Sequence, residues 1–287
     1  MRLTRTRIAE LLERHGVEPS RALGQNFLCD PDLVDKIVRL SRVQTGDHVV
    51  EIGPGLGSLT VGLAAAGAHV TAVEMDRHLL APLGEVVDGL AVSIVHADAA
   101  TVDWPALLGD HSWRLIANLP YNVATPLVLD LLSSQPRIEH YLVMVQREVG
   151  ERLAAEPGSR QTGIPSMVRA YWGTASVVAK VPPQVFLPQP RVDSVLVRID
   201  RSEHPRVAAP FPEFSALVRA GFGQRRKMLR RSLAGHLGAD EIEAAGVPPT
   251  ERAEQLDLEA WGALARALAD RSSKPPTATA GEERDHD

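Results

Sequence analysis

His48-Val49-Val50-Glu51-Ile52 runs directly into Gly53-Pro54-Gly55-Leu56-Gly57-Ser58-Leu59-Thr60. The first five residues are mostly apolar and β-branched and read as a buried strand. The alternate glycines read as a tight turn from that strand into a helix, where a glycine lets the backbone turn sharply and approach a ligand closely. The spacing is Glu-x-Gly-x-Gly-x-Gly, which differs from the Gly-x-Gly-x-x-Gly of dinucleotide-binding units. Pro54 also removes an N–H that a pyrophosphate would use. The loop therefore suits an uncharged edge of a ligand.

Working outward, the strand-and-turn pattern repeats. His69-Val70-Thr71-Ala72-Val73 ends in Glu74, Val92-Ser93-Ile94-Val95-His96 ends in Ala97-Asp98, and Trp113-Arg114-Leu115-Ile116-Ala117 ends in Asn118-Leu119-Pro120-Tyr121. Tyr141 to Val145 is a fifth strand, and the alternation with helical segments over residues 47–145 predicts a doubly wound parallel sheet. Ligands of such sheets bind at the carboxyl ends of the strands. An acid there, about 20 residues after the glycine loop, is placed to hold ribose hydroxyls, which is the role expected of Glu74. Asp98 can accept from an adenine amine, although either acid alone also reads as a solvated surface carboxylate. The Asn118 side-chain oxygen and the Leu119 carbonyl can accept both N–H bonds of an exocyclic amine, with Pro120 holding the turn and the Tyr121 ring lying on the base. The competing reading of that tetrapeptide is a Pro-containing turn with a core Tyr. Taken in order, the four strand ends argue for a nucleoside cofactor such as S-adenosylmethionine and a substrate nitrogen meeting at one sheet edge.

The chain of 287 residues can bury a sizeable core and suggests one large domain with a smaller one. Its 23% charged and 44% hydrophobic residues are those of a globular protein. One Cys excludes an internal disulfide framework and fits a reducing cytoplasm, and Cys29 reads as a small buried hydrophobe. The ten His residues form no Cys/His cluster with metal-ligand spacing, so no metal is expected. No apolar run approaches the ~20 residues of a membrane span. The basic Met1 to Arg7 leads into an amphipathic helix at Ile8 to Glu13, which is not a secretory signal.

A net charge of −5 argues against nucleic acid until its distribution is considered. From Arg219 to Arg231 stand Arg219, Arg225, Arg226, Lys227, Arg230 and Arg231 without a single acid. Read as one helix, with Arg226 and Arg230 on a shared face, this run predicts phosphate contact, the alternative being a solvated face. Arg2, Arg5, Arg7, Arg14 and Arg21 would form a second basic strip. Elsewhere, Asp30-Pro31 predicts an N-cap and first helical residue, and residues 176–181 and 194–199 read as two more strands separated by a Pro-rich loop. Pro205 to Pro212 reads as a linker, Glu213 to about Asp270 as helical, and Ser272 to Asp287 as a disordered polar tail.

Five blocks give the chain a specific resemblance. Gly24-Gln25-Asn26-Phe27-Leu28, Glu51 to Gly57, Asn118 to Tyr121, Val181 to Ser194 and Phe222-Gly223-Gln224-Arg225-Arg226-Lys227 are, in this order, similar to the ribosomal RNA adenine N6-dimethyltransferase family, and within it to the small-subunit (16S) branch. The resemblance implies an α/β fold, a Rossmann-like class I methyltransferase sheet with a smaller all-α C-terminal domain. Residues 1–200 would form the catalytic domain, 201–271 the helical RNA-binding domain and 272–287 the tail. It implies S-adenosylmethionine as cofactor, held by Asn26, Leu28, Gly53, Gly55, Glu74, Asp98 and Asn118. It implies catalysis by Asn118, Leu119, Pro120 and Tyr121, with Tyr121 and Phe186 stacking on the target base. Arg225, Arg226, Lys227, Arg230 and Arg231 would bind RNA. The implied activity is dimethylation of two adjacent adenines in a loop near the 3′ end of 16S rRNA in the 30S subunit, by a cytoplasmic monomer contributing to subunit biogenesis. A 23S rRNA methyltransferase of the macrolide-resistance type, a NAD-dependent oxidoreductase and an assembly factor acting mainly by binding are the alternatives.

Overall fold

A computed structural model describes residues 2–120 and 123–273. They form α1 (Arg5–Arg14), β1 (Phe27–Leu28), α2 (Pro31–Ser41), β2 (His48–Ile52), α3 (Ser58–Ala65), β3 (His69–Glu74), α4 (Arg77–Val87) and β4 (Val92–His96). There follow α5 (Trp104–Leu108), β5 (Trp113–Asn118), α6 (Ala124–Ser134), β6 (Ile138–Gln146), α7 (Arg147–Ala154) and α8 (Ile164–Trp172). The last elements are β7 (Gly173–Val181), β8 (Phe186–Leu187), β9 (Ser194–Arg201), α9 (Phe211–Gly223), α10 (Leu229–Ser232), α11 (Ala239–Ala244) and α12 (Leu258–Ser273). The polar tail expected from the sequence lies outside the described residues beyond 273, as does Tyr121.

The chain divides into two compact units, Met1–Glu156 with Gln161–Arg206, and Pro157–Arg160 with Val207–Asp287. The first is built on a seven-stranded sheet of order β4-β3-β2-β5-β6-β9-β7. β4, β3, β2, β5 and β6 run parallel, and β9 and β7 are antiparallel additions at one edge. The five parallel strands match the expected ones, with register fixed by alternation of side chains and shifted once, between Trp113 and Arg114 at the start of β5. Val49 and Val70 face α2 and α3 with Ile37, Leu63 and Ile116, whereas Val50, Val73 and Leu115 face α6 with Val128 and Leu131. The expected cap of α2 is present: Asp30 Oδ1 accepts from the Leu33 amide at 2.9 Å, with Pro31 at the first helical position.

A two-stranded ribbon pairs β1 with β8, Phe27 opposite Leu187 and Leu28 opposite Phe186. It is reinforced by Cys29, whose amide donates to the Val185 carbonyl at 2.8 Å and whose buried thiol faces the same oxygen. The Arg5 guanidinium donates to the Gln184 and Phe186 carbonyls at 2.5 and 2.9 Å. Arg7 and Arg14 pair with Glu85, and Arg2 with Asp35. These four N-terminal arginines are therefore engaged within the chain, so of the expected second basic strip only Arg21, which is exposed, stands without an ion pair among the described residues.

The ribbon also corrects two site expectations. Phe186 has no exposed surface and packs with Leu28, Ile37 and Met144, so its ring presents no face to a base. Leu28 is likewise in the core, and its carbonyl accepts from the Ser58 hydroxyl at 2.5 Å. Both side chains are apolar members of a ribbon pinned to the sheet, and core burial accounts for their type. Phe186→Ala should thus destabilise the protein by about 3–5 kcal/mol in denaturant unfolding. A variant that unfolds at the wild-type denaturant midpoint would contradict this placement.

The second unit is helical, around Phe214, Leu217, Leu233, Ile242, Trp261 and Leu264. Its basic segment is not one helix. α9 stops at Gly223, residues 224–227 turn, and only Leu229–Ser232 is helical again. The amides of Leu229 and Arg230 donate to the carbonyls of Glu251 and Pro249 rather than to a preceding helical turn. Arg226 and Arg230 consequently do not share a helix face.

Candidate active site

β2 and β5 are neighbours whose connections leave in opposite directions, and the crevice at their carboxyl ends is where ligands bind in open α/β sheets. A cavity of about 470 Å³ opens there, within the ~300–1,000 Å³ usual for small-molecule sites. Of the residues expected at the cofactor, Asn26, Gly53, Gly55, Glu74, Asp98 and Asn118 line it, with Leu119 and Pro120 beside them. Leu28 and Phe186 do not.

The glycine loop supplies the floor. Gly55 has φ +58°, and a Cβ there would lie 2.9 Å from the Phe27 ring, so backbone conformation and space both demand glycine. Gly53 also has a positive φ, and its Cβ position would meet the Pro120 ring at 3.7 Å. The two motifs, far apart in sequence, thus pack against each other at the switch point.

Glu74 closes β3. Its two carboxylate oxygens accept from the amides of Gly55 at 3.2 Å and Asp76 at 2.8 Å, so the side chain is held with lone pairs left over for a diol. Burial raises its pKa, opposed by those amides. Asp98 has one oxygen held by the Ala100 amide at 2.8 Å. Met75, at the end of β3, is half exposed and gives the cavity an apolar wall.

The segment before β1 forms the opposite wall. Gln25 accepts from the Ser20 amide and donates to Asp76, both at 2.7 Å, which clips the segment to the β3–α4 turn. The Asn26 side chain donates to the Gly24 carbonyl at 3.0 Å. The Asn26 backbone carbonyl then accepts from Asn118 Nδ2 at 3.2 Å. A carbonyl is only an acceptor, so the NH₂ end of the Asn118 amide must face it, and Oδ1 is turned the other way. Asn118 is therefore set as an acceptor rather than a donor. The Leu119 amide donates to the Met144 carbonyl at 3.1 Å, and the Pro120 carbonyl accepts the amides of Val123 and Ala124.

Beyond the apolar wall residues Met75 and Leu79, a group near α6 escaped the sequence reading. Val123, Pro126, Leu127 and Asp130 recur at helical spacing directly after the tetrapeptide and present one face of the α6 region to the cavity. That periodicity was the available signal. Glu51, quoted only as part of the glycine motif, is fully buried behind Gly53, and its Oε2 has no partner among the described residues. Burial pushes its carboxyl up to about 8, the neighbouring Glu74 adds to the rise, and only the Thr60 hydroxyl opposes it.

The cavity fits S-adenosylmethionine on its donor set: a carboxylate at a sugar-diol position, an acid at an adenine-amine position, a loop that admits no Cβ, and acids suited to a cationic ligand. Strand order, reversed hairpin edge and site together define a class I methyltransferase using that cofactor. Residues 18–270 match the ribosomal RNA adenine dimethylase family, and the chain belongs to it. It is 44% identical over 268 residues to the ribosomal RNA small subunit methyltransferase A of Kineococcus radiotolerans, covering 90% of this chain and 89% of the relative. The corresponding figures for the protein of that name from Leifsonia xyli subsp. xyli are 46% over 263 residues, with 88% and 93% covered. Among solved structures, a dimethyladenosine transferase from Plasmodium falciparum shares the fold with TM-score 0.74 and 23% identity, covering 86% of this chain and 98% of that one. The 23S rRNA methyltransferase ErmE gives TM-score 0.67 and 26% identity, with 85% and 100% covered.

Glu51 makes a pH prediction. Its carboxyl is neutral in the folded protein up to about 8, whereas in the unfolded chain it ionises near 4.5. Its contribution to stability is complete below the unfolded pKa and is lost as pH rises through the folded one. Urea midpoints should fall between pH 5 and 8 in the wild type, and Glu51→Gln should remove that part of the slope. An unchanged slope in the variant would show that Glu51 is ionised when folded.

Proposed function

We propose that the protein dimethylates N6 of two neighbouring adenines near the 3′ end of 16S rRNA in the 30S subunit, acting in the cytoplasm as a monomer that contributes to small-subunit biogenesis. The observation that carries this is the hold on Asn118, a cavity-lining residue whose Nδ2 is taken by the Asn26 carbonyl, which leaves Oδ1 as its acceptor end. The names of the relatives support the small-subunit RNA over the large.

S-adenosylmethionine supplies a methyl group already activated by its sulfonium. The chain's task is then to bind, orient and accept hydrogen bonds. Asn118 Oδ1 and the Leu119 carbonyl accept the two N–H bonds of the target amine, which draws the nitrogen toward tetrahedral geometry and frees its lone pair. Pro120, against Gly53, holds the distance between this acceptor pair and the glycine floor. Tyr121 follows directly and is assigned the stacking face for the base. With Phe186 in the core, Tyr121 carries that role without it. The proton displaced on methylation passes to water, so no strong base is required. The target must leave its stack, at a cost of a few kcal/mol that is least in a loop.

For RNA, Arg226, Lys227, Arg230 and Arg231 are exposed, and among the described residues no acid pairs with them. Arg225 is different: its Nε pairs with Glu254 at 2.6 Å and its Nη2 donates to the Arg160 carbonyl at 2.8 Å, so its first duty lies within the helical unit. Four free cations on a turn and a short helix suit phosphates along a strand.

Labelled S-adenosylmethionine with under-methylated 30S subunits should yield dimethyladenosine in 16S rRNA, and Asn118→Ala should reduce transfer at least about 100-fold while 30S affinity stays within about twofold. Label confined to 50S RNA would refute the assignment. Arg226→Ala with Arg230→Ala should weaken RNA binding and lower the log–log salt slope by about two. Wild-type affinity and slope in that double variant would mark the segment as a solvated surface.

A further inference from the structure

A second cavity, of about 260 Å³, lies at the other end of the sheet. Arg114 stands four residues before Asn118 on β5, so the two sites are about 13 Å apart along that strand alone. Register places Arg114, His140 and Asp200 in one row across β5, β6 and β9, and Leu142 and Arg198 in the next. Arg42 and Gln44, just past α2, close the opposite side.

The lining is unbalanced in its hydrogen-bonding capacity. Arg114 spends only Nε, on Asp47 at 2.8 Å. Arg198 donates Nη2 to the Leu40 carbonyl at 2.8 Å, which satisfies the end of α2. His140 spends Nδ1 on Asp200 at 3.0 Å. Among the described residues, no partner takes the terminal nitrogens of Arg114, the remaining side-chain N–H groups of Arg198, His140 Nε2, or any side-chain nitrogen of Arg42. Against these donors the lining offers one carboxylate, already engaged. Arg42, Arg114 and Arg198, from three separate stretches of the chain, line the cavity together with Leu40, Ile116 and Leu142. A planar carboxylate would meet only one or two of them, whereas the tetrahedral oxygens of a phosphate can meet all three.

We propose that this cavity is a phosphate-binding site, separate from the methyl-transfer crevice, taking the phosphate of either a free nucleotide or an RNA backbone. Its volume admits a phosphate and part of the attached sugar. α2 ends here with carbonyls that would repel an anion, and three of the last four are already covered: Leu40 by Arg198, Val38 by the Ser41 hydroxyl at 2.7 Å, and Arg39 by the Arg42 amide.

The variant for the test is Arg42→Gly with Arg114→Gln. Arg42 has φ +56°, a left-handed conformation that glycine adopts freely, and Gln can keep a hydrogen bond to Asp47. Calorimetric titration with inorganic phosphate and with adenosine 5′-monophosphate, and binding of a 16S rRNA fragment at several salt concentrations, separate the sources. Affinity for the free phosphates about tenfold weaker in the variant, with RNA binding unchanged, assigns the site to a nucleotide. RNA affinity lowered, with a salt slope smaller by about two and no binding of the monophosphate, assigns it to the RNA backbone. Unchanged behaviour toward both ligands overturns the proposal and leaves the arginines as caps and sheet ion pairs. Arg42→Gly alone repeats the comparison should the double variant melt early, and S-adenosylmethionine affinity should be unchanged in either protein.

Discussion

The reversal of strand order between β2 and β5 is the constraint on which the rest depends. Connections leaving in opposite directions cannot cover the ends of the two central strands, so a crevice remains where the sheet is otherwise buried on both faces. Everything chemical in the first unit is gathered at its rim. The glycine loop leaves from β2, Glu74 and Asp98 follow β3 and β4, and Asn118 ends β5. The crevice is then narrowed by a segment that precedes the sheet in sequence, the stretch from Leu23 to Phe27. Residues that short and irregular have no core of their own, and they are held by the β1–β8 ribbon, the Gln25 clip and the Arg5 ties.

That arrangement explains why an asparagine serves at the end of β5. A side-chain amide has a donor end and an acceptor end, and it becomes a defined acceptor only when the donor end is occupied. The Asn26 carbonyl supplies that occupancy, so the first unit's N-terminal wall sets the chemistry as well as the shape of the site. Replacing the oxygen acceptor by a carboxylate would place another negative charge beside Glu74 and Asp98, where burial already disfavours ionisation of Glu74 and Glu51. A neutral acceptor avoids that repulsion.

The sequence displayed the parallel strands, the glycine turn and the order of polar groups at the strand ends, because each of these is a local pattern: apolar alternation, a positive-φ demand, an acid closing a strand. What it hid is non-local. Phe186 reads as an exposed aromatic in a Pro-rich loop, and only its pairing opposite Leu28 shows it to be core. Arg225 sits in a run without acids, yet Glu254, 29 residues on, claims it. The run itself has no helix-breaking residue between Gln224 and Ser232, and its interruption comes from carbonyls at Pro249 and Glu251. Glu51 stands near the end of β2 like any strand-end acid, and the burial of its carboxyl, with Oε2 unpartnered among the described residues, is visible only in the assembled fold. In each case tertiary pairing overrides a local propensity.

The same contrast bears on how a protein of net charge −5 can act on RNA. Sequence counting gives every cation equal weight, but the structure divides them. Arg2, Arg5, Arg7, Arg14 and Arg225 are occupied by carboxylates or carbonyls of the chain itself. Among the described residues, Arg226, Lys227, Arg230 and Arg231 have no such acidic partner, and they fall within six consecutive residues of the helical unit. Phosphate contact draws its free energy from counterion release by unpaired cations, and a cation already neutralised in the free protein must first break its own ion pair. A few clustered, uncompensated charges can therefore direct RNA to one surface even though the whole chain repels it, and the acidic remainder disfavours other orientations.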